Sequence, residues 1–160
     1  MEAAGEAAIR SLGEHHPEVS EIRRIRAWTL ARAGDLEGSK KAFQEALRVA
    51  QEHHTAHPEI IAALHSGLGA VLTDAGELEL ARDMLEAAVE MNLALRDESP
   101  SGRASLARDR GNLAVLLGHM GELPRAIELT EQSLETFVDL FGEGGIPTCR
   151  SAGPTSDRCS

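Results

Sequence analysis

Aromatic side chains are scarce in this sequence, at 2% of 160 residues, and tyrosine is absent. Those that occur are Trp28, Phe43, Phe137 and Phe141. The apolar fraction of 42% therefore consists mostly of alanine, leucine, valine and isoleucine. Sheets favour β-branched and aromatic residues, whereas small and aliphatic side chains suit close helix packing. The composition predicts an all-α fold.

Long apolar runs and an excess of positive charge are also missing. No apolar run approaches the roughly 20 residues that span a bilayer, and the N-terminus lacks the basic and apolar regions of a signal peptide. A net charge of −10 repels nucleic-acid phosphates and anionic membranes. We expect a cytoplasmic protein with no nucleic-acid or membrane partner. Lys40 and Lys41 are the only lysines among 16 basic residues, and this arginine bias suggests a GC-rich bacterial source.

Residues for catalysis, cofactors and metals are lacking as well. Cys149 and Cys159 are the only cysteines, and both follow the last helical pattern, so neither can cross-link a core. The segment 67–69 lacks the third glycine of a dinucleotide loop, and there is no Walker or G-x-S-x-G motif. The histidines of segment 53–57 are followed by Pro58 and do not form HExxH. We predict no enzyme activity, no cofactor and no metal site.

An internal repeat is the main feature that is present. A glycine, an acidic residue and a leucine recur together, with glycine spacings of 42 and 45 residues, at Gly34, Gly76 and Gly121. Prolines precede the first helical stripe of each segment at Pro17, Pro58 and Pro100. Positions counted from the three turn glycines define the repeat frame used below. In each repeat, apolar residues at helical spacing occur before and after the glycine, which predicts a pair of helices.

Each glycine supplies the left-handed conformation that ends one helix, and the next residue places a negative charge at the positive end of the following helix. The predicted helices span residues 17–33, 36–54, 58–75, 78–97, 101–120 and 123–141, after an unpaired helix at 2–12. The aromatic and aliphatic residues Phe137, Val138 and Phe141 crowd the end of the last helix. Because exposed apolar patches promote association, they are candidates for a homo-oligomer contact.

These motifs resemble tetratricopeptide repeats, in the variety of about 42 residues found in kinesin light chain and bacterial regulatory arrays. The run Leu12-Gly13-Glu14-His15-His16-Pro17 matches the repeat junction, His57-Pro58 keeps its second half, and Gly111-Asn112-Leu113-Ala114 resembles the opening of such repeats. The resemblance implies a right-handed superhelical stack of antiparallel helix pairs. It divides the chain into the second helix of an incomplete repeat at 1–14, repeats at 15–56, 57–98 and 99–142, and a flexible tail at 143–160.

The family also implies a function, since the first helices of such stacks line a concave groove that binds peptides or partner helices. Carrying the groove over by the repeat frame gives a set of inward residues: Arg24, Trp28, Arg32, Ser66, Thr73, Asp74, Arg108, Asn112 and His119. An asparagine amide can bond a peptide backbone in both directions, and arginine can bind a carboxylate. Asn112 could equally bond a neighbouring helix, and Trp28 could pack between first helices.

We therefore predict a non-catalytic protein-interaction module. The alternative is a sensor or regulatory C-terminal segment of a larger bacterial signalling NTPase or transcriptional regulator, because both ends of the pattern look truncated. An in-frame nucleotide-binding motif in the upstream DNA would favour that alternative.

Overall fold

A computed structural model describes residues 13, 16–95 and 97–142, and this part of the chain is helical with no strand. The helices are α1 (Pro17–Arg32), α2 (Leu36–His53), α3 (Pro58–Asp74), α4 (Leu78–Leu95), α5 (Pro100–His119) and α6 (Leu123–Phe141). Every helix boundary lies within two residues of its sequence-based position, and several agree fully. The predicted all-α stack of helix pairs is confirmed. The helix at 2–12 and the tail at 143–160 lie outside the described residues.

The turns between paired helices have the predicted geometry. Gly34, Gly76 and Gly121 have φ angles of 87°, 78° and 81°, a region that L side chains avoid. As predicted, an acidic residue directly precedes the second helix of each pair. In the first turn Asp35 also accepts a hydrogen bond of 2.8 Å from the Gly38 amide. The side chain of Glu122 makes no such bond. It pairs instead with Arg82 of the preceding repeat.

Within each pair, small residues allow the two helices to approach closely. Gly69 faces Leu85 and the backbone oxygen of Ala81, with no room for a methyl group in between. Ser39 is fully buried, and its hydroxyl donates a hydrogen bond of 2.8 Å to the Ala27 carbonyl. Ser133 does the same to the Ala107 carbonyl at 2.7 Å. The serines therefore link paired helices, at positions where the other repeats have alanine.

The core is a continuous cluster of aliphatic side chains around one aromatic ring. Phe43 is fully buried and packs in the space that Gly67 leaves open on α3. The cluster continues from pair to pair through fully buried leucines and valines, among them Leu64, Val71, Leu85, Leu116 and Leu117. Burying such side chains is the main favourable contribution to folding, at about 1.5–3 kcal/mol each. The pairs are thus held together by shared core and not by polar contacts alone.

The two helices of each pair occupy different sides of the stack. The first helices α1, α3 and α5 contact one another in succession, whereas among the described residues the second helices α2, α4 and α6 make no such contacts. The spacing is therefore tighter along the first helices. Tighter spacing on one side curves a stack toward that side, so the first helices line the concave surface.

None of the described helices combines the length and the apolar character that crossing a bilayer would require.

Candidate functional site

A cavity of about 320 Å³ opens on the concave surface, where α1, α3 and α5 meet the end of α4. It brings together several of the predicted groove residues: Arg24, Trp28, Ser66, Arg108 and Asn112. Three successive repeats therefore contribute to one site. A cavity of this size is at the lower end of the range for ligand pockets.

Trp28 forms the aromatic wall of the cavity. Its ring and that of Phe43 form a T-shaped pair, with ring centroids 5.5 Å apart and the planes at 85°, which is a favourable arrangement for two aromatic rings. The indole is partly buried, so one face packs on the core while the remainder lines the cavity. Trp28 thus contacts Phe43 of the second helix α2 and also lines the cavity, while its role in partner binding stays a prediction.

The two arginines of the cavity differ in their surroundings. The Arg24 guanidinium donates a hydrogen bond of 2.9 Å to Glu21, one turn earlier on α1. This hydrogen bond lowers the pKa of Glu21 and raises that of Arg24. Arg108 on α5 is exposed, and its charge acts on both Glu21 and Asp109. Arg108 is therefore the arginine that is better placed to meet a ligand carboxylate.

The deepest polar group of the site is Asp109, whose residue surface is only 3% exposed. Asn92 at the end of α4 donates a hydrogen bond of 2.6 Å to its carboxylate. Burial raises the pKa of Asp109, opposed by hydrogen bonds from Ser66 and Asn92 and by the charge of Arg108. The amide of Asn112 donates to the Ser66 hydroxyl at 3.2 Å. These side chains form a polar network that links α3, α4 and α5 at the floor of the groove.

Sequence reasoning missed both Asp109 and Asn92. A signal for Asp109 was present, because the repeat frame aligns it with Leu64, a fully buried core residue, and with Ile22. A charged residue at a core position of a repeat must be paired or neutralised, so it marks a polar site. Asn92 gave no comparable signal, since its role depends on how the end of α4 approaches α5.

The other predicted groove residues lie away from the cavity. Arg32, Asp74 and His119 are exposed at the C-terminal ends of the first helices. Thr73 is buried, and its hydroxyl donates to the Gly69 carbonyl of its own helix at 2.9 Å. The cavity therefore occupies the N-terminal and middle parts of the first helices, beside the junction between α4 and α5.

The histidine segment 53–57 spans the end of α2 and the loop before α3. His54 is buried and His57 contacts Glu59 at 3.1 Å, with 6.4 Å between the two imidazole centroids. Across the described residues, no group of three or more histidine, cysteine or acidic side chains has a metal-binding arrangement. Cys149 and Cys159 lie outside those residues.

The sequence and the structure were each compared with known proteins. Residues 110–145 match the model of the tetratricopeptide repeat family. Among solved structures, the chain is similar to BtubC (BKLC) from P. vanneervenii, with a TM-score of 0.73 and 19% sequence identity. The alignment covers 99% of this chain and 61% of that protein, so the chain spans less than two thirds of its length. No curated protein matches the sequence.

At this level of identity the structural match establishes the fold, while the family match concerns one segment of the chain. The matched segment contains the second half of α5 and all of α6, which form the last helix pair. Residues 110–145 therefore match a tetratricopeptide repeat, within a helical stack whose fold is similar to that of BtubC.

Proposed function

We propose that the chain is a non-catalytic protein-interaction module that binds an extended peptide or a partner helix in its concave groove. The observation that carries this proposal is the cavity where three successive first helices meet. It places an aromatic wall, an exposed guanidinium and a polar floor beside one another. A binding site typically combines a partly apolar concave surface with a small number of convergent polar groups.

The chemistry of the groove favours a peptide that presents both polar and apolar groups. Trp28 offers a flat apolar surface, and such aromatic residues often dominate binding energy. Asn112 uses one of its N–H groups on Ser66, and an amide can make further hydrogen bonds through its oxygen and second N–H. Arg108 can bind a carboxylate, and Glu59 and Asp97 at the rim can bind a cationic side chain.

The experiment uses the full chain and a random peptide library displayed on phage. Enriched peptides are synthesised, and their affinity is measured by fluorescence anisotropy for the wild type and for Asn112→Ala and Arg108→Ala. Each variant should lose about 1–3 kcal/mol of binding energy, or roughly 5- to 150-fold in Kd, because one hydrogen-bonding or charged group is removed. Helicity should not change.

Lys41→Ala is the matched control, because it removes one exposed positive charge from α2, outside the cavity. Its affinity should equal that of the wild type. If both groove variants bind the selected peptides as tightly as the wild type does, the binding site lies elsewhere and the groove proposal is wrong.

A further inference from the structure

Ion pairs connect successive repeats along one edge of the stack. Lys40 on α2 contacts Glu77, which lies in the turn between α3 and α4, with 2.6 Å between Nζ and Oε1. Arg82 on α4 pairs in the same way with Glu122, the acidic residue of the last turn. Lys40 and Arg82 hold the same position in the repeat frame, and so do their partners. In each case the second helix presents a cation to the repeat that follows it.

The last second helix, α6, breaks this rule. The equivalent position is Ile127, whose residue surface is 57% exposed. It belongs to a row of apolar side chains that are each 55–66% exposed and are separated by three, four or seven residues. They are Leu123, Ile127, Leu134, Val138 and Phe141. This spacing puts them on one face of the helix. We call this row the α6 face.

Most of the same face is covered in the earlier repeats, except at the position of Val138, where the equivalent Leu93 is 49% exposed. Leu134 is equivalent to Leu47, which is 8% exposed, and to Val89, which packs against the core. In those repeats the following helix pair lies over the face, as α3 does over α2 and α5 does over α4. The α6 face is thus a helix-packing surface that no described residue covers.

Charge indicates what could cover it. Glu131 and Glu135 lie on one side of the apolar row, each three or four residues from one of its members. The basic residue of α6, Arg125, lies toward the opposite side and contacts Glu86 of α4 at 3.2 Å. A second copy docked through the same face would bring two acidic borders together, because a two-fold contact repeats each patch against itself.

We propose that the α6 face binds an amphipathic helix of another protein, whose apolar row is bordered by lysine or arginine. The partner's apolar side chains occupy the position that a following repeat occupies in the earlier pairs. Its basic border lies along Glu131 and Glu135. This surface is separate from the concave groove, so either can bind when the other does not.

The probe is a labelled synthetic helix about as long as α6, with a leucine row bordered by lysines. A matched probe carries glutamates at the lysine positions. Anisotropy titrations use the full chain as wild type, Ile127→Lys and Leu80→Lys. The control Leu80→Lys makes the same substitution at a leucine of α4 that is 53% exposed and outside the α6 face.

The lysine-bordered helix should bind the wild type at least about tenfold more tightly than Ile127→Lys, which corresponds to 1.4 kcal/mol. Leu80→Lys should match the wild type, and the glutamate-bordered helix should bind weakly. The charge reversal Glu131→Lys with Glu135→Lys should invert the preference between the two probes. Circular dichroism checks that each variant is folded.

Several outcomes would overturn the proposal. Equal losses in Ile127→Lys and Leu80→Lys would show general attraction to an acidic protein. A wild-type dimer in sedimentation that Ile127→Lys dissociates would make a second copy the occupant. Tighter probe binding after deletion of residues 143–160 would show that this segment covers the face.

Discussion

A methyl group added at Gly67 tests how closely the groove is tied to the core. An ideal Cβ at this position would lie 2.4 Å from Cε1 and 2.6 Å from Cζ of Phe43. Carbon atoms in contact are about 3.5–4.0 Å apart, so the ring must move by about an ångström. Phe43 is fully buried, and its ring forms a T-shaped pair with Trp28. Gly67→Ala should therefore disturb the aromatic wall of the cavity.

Two opposing effects set the magnitude. Replacing glycine by alanine inside a helix stabilises a protein by about 0.5–1 kcal/mol. Adding a methyl group to a packed core costs about 1–3 kcal/mol. Gly118 on α5 provides the matched control, since a Cβ there meets no atom within 4 Å. Gly118→Ala should thus be stabilised by about 0.5–1 kcal/mol, and Gly67→Ala should fall below it by about 1–3 kcal/mol.

Urea unfolding measures both free energies, with circular dichroism reporting helicity and Trp28, the only tryptophan, reporting the cavity wall. Gly67→Ala should shift the native emission of Trp28, and Gly118→Ala should not. Equal stabilisation of the two variants with unchanged emission would refute the tight packing of Phe43 on α3.

Three further predictions concern the turns, the paired helices and the groove floor. Gly76→Val should be less stable than Gly118→Val by about 1–2 kcal/mol in urea unfolding, because φ at Gly76 is 78°; equal values would contradict the turn. Ser39→Ala should lose about 0.5–1.5 kcal/mol through its missing hydrogen bond, and an unchanged unfolding midpoint would exclude that contribution. Burial raises the pKa of Asp109, so the folded chain binds this proton more tightly than the unfolded chain does. The stability of the wild type relative to Asp109→Asn should rise as pH falls through the folded pKa toward the ordinary aspartate range, and a constant difference would argue against it.

The helices could be predicted closely because their signals are local. Glycine at the turn and proline in the first turn act on the backbone of their own neighbourhood, and the apolar period depends on residues three or four apart. The same turn motif at Gly34, Gly76 and Gly121 also predicts which two helices form each pair. At Glu122 the side chain makes no hydrogen bond to its own helix and pairs with Arg82 of the preceding repeat, a contact that no local signal predicts.

The groove was predicted only in part, for a geometric reason. The repeat frame identifies which face of a first helix turns inward, but it does not say which part of that helix the neighbouring elements enclose. The end of α4 reaches the N-terminal and middle parts of α3 and α5, where Asn92 and Asp97 close the cavity. Arg32 and His119 share the inward face by sequence yet lie beyond this enclosure.

Contacts between repeats could not be predicted, since their partners are far apart in the sequence. The pairs Lys40–Glu77 and Arg82–Glu122 each join one repeat to the next. Their positions are visible in the aligned repeats, but only the stacked structure shows that they meet. An exposed isoleucine by itself is ordinary, so exposure alone would not single out Ile127. The ion pairs of the earlier repeats do single it out. It stands where two earlier repeats hold a cation, so the α6 face differs from them in the chemistry it offers as well as in its exposure.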